Sequence, residues 1–356
     1  MKQIVDRIRA ALKDHPFDAV LLTSPQNRFY ATGFPSSAGI ALITLDNAYF
    51  ATDFRYFEDA GNKIEGFELE MVKAGHSYHD VINAVIQKES ITRIGFEDNA
   101  MTYSEYLAKK NALQAELVPM GDMMASLRMI KLPHEIERIE TAQRIAEESF
   151  EALLPDIRVG VTEAELAAKL IYYMALRGSE KPSFDPIVVS GANGSLCHGH
   201  PTEKPIAAGD FITFDFGATY RGYCSDMTRT VAVGQPSDEM VQVYQTVLKA
   251  QNEAIAAAKA GIIGADLDRV ARDIIKDAGY GEYFGHGLGH GLGIDVHDAG
   301  SASPSYAKPL PANFVCTIEP GIYIPGKFGV RIEDFVLLTE EGCINITKAP
   351  KELLIL

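Results

Sequence analysis

Four carboxylates in two short apolar stretches are the residues of this chain best placed to do chemistry. In residues 210–231, DFITFDFGATYRGYCSDMTRTV, strand alternation puts Phe211, Thr213 and Asp215 on one face and Ile212, Phe214 and Phe216 on the other. The turn-rich run from Gly217 to Gly222 folds the chain back, so Asp226 returns beside Asp215 on a neighbouring strand. Two carboxylates held together among apolar side chains repel unless a proton or a cation is shared between them. Residues 317–338 repeat the logic. Glu319 ends a strong strand before Pro320-Gly321, and Arg331 and Glu333 share a face of the next strand, with Val330, Ile332 and Asp334 on the other. Each second carboxylate has an arginine nearby, Arg229 for Asp226 and Arg331 for Glu333. A surface ion pair is the alternative for Arg331 and Glu333, but their hydrophobic flanks favour burial.

Imidazoles accompany the acids. The stretch from Gly285 to Gly293 reads GHGLGHGLG, and glycine at every second position excludes a helix. Extended, it puts His286, Leu288, His290 and Leu292 on one face, while the glycines let another backbone approach closely. His198, His200 and His297 complete a group of five among the chain's nine histidines. Four carboxylates with an imidazole and no thiolate favour hard divalent ions, Mn²⁺ first, with Co²⁺, Fe²⁺ or Zn²⁺ as other candidates. Five ligands are too many for one catalytic zinc with an open position. They suit two divalent ions roughly 3.5–4 Å apart, which would bring a water's pKa from about 15.7 towards ~7.

The elements that must position these groups fall into two domains. Residues 4–12, 78–89 and 102–111 read as helices. Residues 19–23 and 93–96 read as strands, and 39–45 with 47–52 as a hairpin closed near Asp46. Interleaved helices and strands predict an α/β domain over residues 1–123. A second domain, residues 124–356, follows a linker near 127–132 and opens with an amphipathic helix over 134–154, preceded by Pro133. It contains a weak repeat. GVTEAEL from Gly160 and GIIGADL from Gly261 each open a helix, and each is followed by a strand carboxylate, Asp215 or Glu319. The expected architecture is α+β with pseudo-two-fold symmetry and the site between its halves.

Composition excludes other classes. Net charge is −15, from 48 acidic and 33 basic residues, which repels phosphate backbones and anionic lipid, so no nucleic-acid or membrane partner is expected. No run approaches the ~20 apolar residues of a membrane span. The N-terminal MKQIVDR carries charges where a secretory signal needs an apolar run. The four cysteines form no CxxC pair or disulfide framework, which fits a reducing compartment, and the expected location is cytoplasmic.

At FDFGATYRGYCSDMTRT, GHGLGHGLGIDVHD, TIEPGIYIPGKFGVRIED and, more weakly, SGANGSLCHGH, the chain resembles the pita-bread metallopeptidases, the family of aminopeptidase P, prolidase and methionine aminopeptidase. Residues 1–123 are similar to the creatinase-like N-terminal domain of the proline-specific members. The resemblance implies a dinuclear exopeptidase that hydrolyses the Xaa-Pro bond, with Asp215, Asp226, His290, Glu319 and Glu333 as metal ligands. It implies that Glu319 moves the proton of the attacking water to the proline nitrogen. It implies also that His297 stabilises the oxyanion, His198 contacts the proline side, and Arg331 orients the ligating carboxylates. His286 would line the substrate pocket, and His200 is taken as structural. A proline-containing peptide is the implied partner, and a homodimer the implied assembly. After His297 the sequence DAGSAS lacks the Pro-Arg pair common in dipeptide-cleaving members, which leaves longer peptides open. A non-catalytic binding module on the same fold, and a creatinase-type amidinohydrolase, are the alternatives. Retention of all the ligand positions weighs against the first. The second needs no metal, so the intact carboxylate set weighs against it.

Overall fold

The computed structural model describes residues 2–356 and divides into two compact units, one ending at Arg128 and the other beginning at Met129. In the first unit six strands, β1 (Ala19–Leu22), β2 (Ile40–Thr44), β3 (Ala48–Asp53), β4 (Glu68–Val72), β5 (Arg93–Phe96) and β6 (Glu116–Pro119), form one mixed sheet in the order β4-β3-β2-β1-β5-β6. The pairs β1–β2 and β2–β3 are antiparallel, and the other three are parallel. Helices α1 (Lys2–Leu12), α2 (Pro25–Thr32), α3 (Phe54–Lys63), α4 (Tyr78–Glu89) and α5 (Tyr103–Ala112) interleave with the strands. The four central strands β1, β2, β3 and β5 match the sequence pattern, because burial made them apolar runs. The two edge strands escaped it. β4 carries Glu68 and Glu70 and is half-exposed, and β6 ends at Pro119, both ordinary ways to blunt a sheet edge. Helix α2 was also missed, although its signal is present. Ser24 caps it by accepting from Asn27 N at 3.2 Å, and Pro25 occupies its first turn.

Helix α6 (Met123–Met129) runs through the start of the segment expected as linker, and its Met123, Met124 and Arg128 are buried. The second unit then opens with α7 (Pro133–Leu153), whose buried stripe includes Ile139, Ala142, Ile145, Ala146 and Phe150. After α8 (Glu163–Leu176) come β7 (Ile187–Ser190), β8 (Phe211–Phe216), a small hairpin of β9 (Thr219–Tyr220) and β10 (Tyr223–Cys224), and β11 (Met227–Ala232). Helices α9 (Asp238–Ala257) and α10 (Gly264–Asp277) precede β12 (Gly289–Gly291), β13 (Asp298–Ala302) and β14 (Val315–Ile318). The hairpin β15 (Gly321–Ile324) with β16 (Phe328–Arg331), then β17 (Asp334–Leu338) and β18 (Cys343–Asn345), complete the chain. The sheets run β11-β8-β7 and β13-β12-β14-β17-β18.

The repeat is visible in the hydrogen bonding as well as the order of elements. Before α8, Gly160 N donates to Ile206 O at 2.9 Å and Ile206 N returns a bond to Val161 O. Before α10, Gly261 N donates to Leu310 O at 2.7 Å and Leu310 N returns a bond to Ile262 O. The expected alternation on β8 holds. Ile212, Phe214 and Phe216 enter one apolar core, while Phe211 enters the other. The halves join where Glu333 N donates to Thr228 O at 3.1 Å, an isolated antiparallel bridge between the strand pairs that carry the acids.

Candidate metal centre and active site

Each half delivers its two acids by one device, a carboxylate at the end of one strand facing a carboxylate at the start of the next. Asp215 lies on β8 opposite Thr228, and Asp226 immediately precedes β11. Glu319 immediately follows β14 and Glu333 immediately precedes β17, with Ile318 and Asp334 paired between them. Asp226 is 4% exposed and Glu333 1%. His290 Nε2 lies 3.6 Å from Asp226 Oδ2 and 3.3 Å from Glu319 Oε1. One potential ligand atom each from Asp226, His290 and Glu333 falls within 4.8 Å of the others. Asp215 is tied to the group through Arg331, whose Nη2 donates to its Oδ2.

The arginines partner differently from the sequence expectation. Arg229 donates to Asp334 Oδ1 at 2.8 Å and to backbone carbonyls, not to Asp226. It points away from the centre because its strand neighbours, Thr228 and Thr230, take the inner face. Arg331 reaches across to Asp215 and also donates to Thr228 Oγ1 at 3.1 Å, Tyr323 Oη at 2.7 Å and Cys197 O at 3.2 Å.

Three buried carboxylate oxygens here, Asp215 Oδ1, Asp226 Oδ1 and Glu333 Oε1, have no hydrogen-bond partner among the described residues. An unpartnered anionic oxygen is costly inside a protein, and several lining one cavity beside a histidine are a strong mark of a cation site. Burial, reinforced by Glu333, Asp215 and Glu319, pushes Asp226 well above the ordinary carboxylate range. Burial with Glu319 and Asp215 does the same to Glu333. Burial raises Glu319 to about 8 against the pull of Arg331. On His290, burial lowers the pKa, and Nδ1 lies 3.2 Å from Gly291 O. The neutral tautomer protonated at Nδ1 leaves a lone pair on Nε2, aimed at the acids. The donor set fits hard divalent ions.

The pattern of residues alone does not separate His286 from His290, but the geometry does. Tyr323 Oη accepts from Arg331 and donates to His286 Nε2 at 2.9 Å, while His286 Nδ1 donates to Gly287 O at 2.8 Å. Both ring nitrogens are engaged, and burial lowers the pKa to about 4. The face-sharing expected along residues 286–292 does not hold throughout. Only Gly289–Gly291 is strand, a register shift follows His290, and Leu288 and Leu292 are wholly buried. The close-approach role of the glycines does hold. A Cβ on Gly289 would lie 1.8 Å from Thr317 O, and one on Gly291 2.2 Å from Ala299 O.

A cavity of about 790 Å³ opens over the acids, lined also by His198, His286 and His297. The His297 ring stands edge-on to that of His290, with centroids 4.3 Å apart. His200, expected to be structural, is exposed and also lines the cavity. Three hydroxyls were missed from the sequence. Thr228 Oγ1 donates to Glu333 Oε2 at 2.7 Å, Thr317 Oγ1 to Glu319 Oε1 at 3.1 Å, and Tyr323 bridges Arg331 and His286. A threonine or tyrosine in a strand is too common to mark a site, and only its position next to an acid distinguishes these.

Comparison with known proteins shows which family the two units resemble. Residues 137–340 match the model of metallopeptidase family M24, and residues 4–130 that of the creatinase/prolidase N-terminal domain. A solved Xaa-Pro dipeptidase from Bacillus anthracis superposes with a TM-score of 0.96 at 43% identity, covering 100% of this chain and 99% of that one. An X-Pro aminopeptidase from Thermotoga maritima gives 0.92 at 39%, covering 98% of this chain and 100% of that one. The Xaa-Pro dipeptidase of Pyrococcus furiosus is 38% identical over 99% of this chain and 100% of its own length.

Proposed function

The chain belongs to metallopeptidase family M24, and from that premise we propose that it hydrolyses the Xaa-Pro bond at the amino terminus of peptides, using two divalent metal ions. The observation that carries the proposal is the set of unpartnered carboxylate oxygens facing a histidine in a peptide-sized cavity, in a chain that aligns end to end with Xaa-Pro peptidases. Asp215, Asp226, His290, Glu319 and Glu333 would hold the ions, with Mn²⁺ the preferred metal because the donors are hard oxygen and nitrogen. Bound there, the ions would supply Lewis acidity towards the scissile carbonyl and an activated water.

The chain's own residues do the rest. Glu319, with Oε1 fixed by the Thr317 hydroxyl, takes the proton of the attacking water and delivers it to the proline nitrogen, which must be protonated to leave. His297, whose pKa burial lowers, stays neutral and donates an N–H to the developing oxyanion. His198 contacts the proline side of the substrate, and His286 lines the pocket. Arg331 holds Asp215 in place. The proposal includes a cytoplasmic location, supported by four free thiols, and a homodimer, which the family resemblance implies. Among the described residues, no helix is long and apolar enough to cross a membrane.

The test is an assay of Ala-Pro, Ala-Pro-Ala and a longer Xaa-Pro peptide, each with Mn²⁺, Co²⁺ or Zn²⁺, beside the matching peptides in which alanine replaces proline. Release of the first residue from proline peptides, strongest with Mn²⁺, is expected. Equal cleavage of the alanine controls would sink the proline reading.

A further inference from the structure

We infer that Glu163, outside the metal centre, is a positioning residue that sets His198 by pinning both ends of the loop that carries it; the role of His198 rests on the proposed peptidase reading. Glu163 is the first residue of α8 and is wholly buried. Its carboxylate accepts from Ser190 N at 2.7 Å and Ser190 Oγ at 2.8 Å, where the loop begins. It accepts from Thr202 N at 3.1 Å and Thr202 Oγ1 at 2.6 Å, where the loop ends. Asn193 Nδ2 adds contacts at 3.2 and 3.1 Å. Two chain positions twelve apart (202 − 190) are thus closed on one side chain. Hydrogen bonds to an ionised acceptor are stronger than neutral ones, so a carboxylate closes the loop where an amide would do so poorly.

The far side of the loop is fixed independently. Gly194 packs against Gly329, where a Cβ on Gly329 would lie 2.0 Å from Gly194 O, and Arg331 Nη1 donates to Cys197 O at 3.2 Å. His198 itself is exposed in the cavity, and the described hydrogen bonds include none to its ring, so its placement depends on the loop. The other half of the domain has a matching device. On α10, Asp268 is buried, accepts Leu288 N at 2.9 Å and pairs with Arg272, which donates to Phe284 O and His286 O. Each half therefore uses a buried acid on its second helix to hold a histidine-bearing segment at the cavity.

The experiment is a double-mutant cycle on Mn²⁺-loaded protein, with Glu163→Gln, His198→Ala and the double variant assayed on a proline peptide and its alanine control. Glu163→Gln keeps the shape but turns a donor towards one end of the loop. It is expected to raise KM roughly tenfold for the proline peptide, with a smaller change in kcat and metal content unchanged. In the His198→Ala background the same change should cost less than about twofold, because the positioned group is gone. Effects that multiply, or loss of metal in Glu163→Gln, would overturn the inference. If Glu163→Gln does not fold, Thr202→Val, which removes one of the donors and leaves the carboxylate, is put through the same cycle with the same criteria. Wild-type protein that cleaves both peptides without preferring the proline one would defeat the Xaa-Pro reading instead, and the coupling with His198 on the peptide it cleaves still decides the positioning role.

Discussion

Asp226 shows what the centre demands of a single side chain. One of its oxygens is buried without a partner and the other faces His290 Nε2 at 3.6 Å, so among the described residues the cation that answers its negative charge is Arg331, which donates to Asp215. Asp226→Asn preserves shape and removes the charge. It is expected to release at least one metal ion per chain and to lower turnover by orders of magnitude, which elemental analysis with kinetics under saturating Mn²⁺ will read. Activity near wild type would defeat the dinuclear proposal. His297→Ala separates chemistry from binding of the ions. Since His297 is assigned an N–H donor's role, its loss should lower kcat by roughly 10²–10³-fold at unchanged metal content. Metal loss would show that the role is wrong. At this scale the acids were legible in the sequence, because strand alternation and apolar flanks leave few explanations for paired carboxylates. The choice of His290 over His286 came in the sequence from the family resemblance alone, and what supports it in the structure is Tyr323, distant in sequence, occupying His286 Nε2.

The elements that carry these groups are legible to different degrees, and the reason is burial. Strands β8 and β14 announce themselves as apolar runs ending in an acid, and α7 by its stripe. Strand β12 is only three residues long and mostly glycine, and its existence follows from contact rather than propensity. It is seated between β13 and β14 because Gly289 lets Thr317 O come close. Gly289→Ala therefore forces backbone apart at the point where His290 N donates to Thr317 Oγ1 at 2.9 Å. A loss of about 1–3 kcal/mol is expected from overpacking of this kind. Weaker Mn²⁺ retention should accompany it, because His290 moves with the strand. Denaturant titration and metal content in the same preparation test this. Unchanged values for both would mean that the close approach is relieved without cost. The edge strands β4 and β6 lie at the other extreme, since half-exposed strands with charged or proline residues carry too little alternation to be read.

For the whole molecule, the fold concentrates unanswered negative charge at one point, and its stability must follow the protonation of that point. Asp226, Glu333 and Glu319 all have pKa values raised by burial, Glu319 to about 8. A raised carboxylate pKa means that the folded chain binds the proton more tightly than the unfolded chain, where the value is near ~4. Stability from these groups in metal-free protein is therefore present below about pH 4 and lost as pH rises, for Glu319 across roughly pH 4 to 8. Asp334 works in the opposite sense. Burial, the largest single influence, would raise it, but Arg229, Lys351 and the hydrogen bonds from Gln251 and Asn345 together lower it, so its contribution is present above the unfolded value and disappears only in acid. Between pH 5 and 8 the first group dominates, and the melting temperature of chelated protein is expected to fall. On the proposed reading Mn²⁺ would bind the deprotonated acids, so its stabilisation should grow over the same range, reaching about 2.7 kcal/mol at a hundredfold excess over Kd. Thermal melts at stepped pH, with EDTA or with Mn²⁺, should thus diverge as pH rises. Curves that stay parallel would mean that the ions do not bind through these three acids, and a chelated protein that gains stability from pH 5 to 8 would remove the argument for buried, unanswered charge.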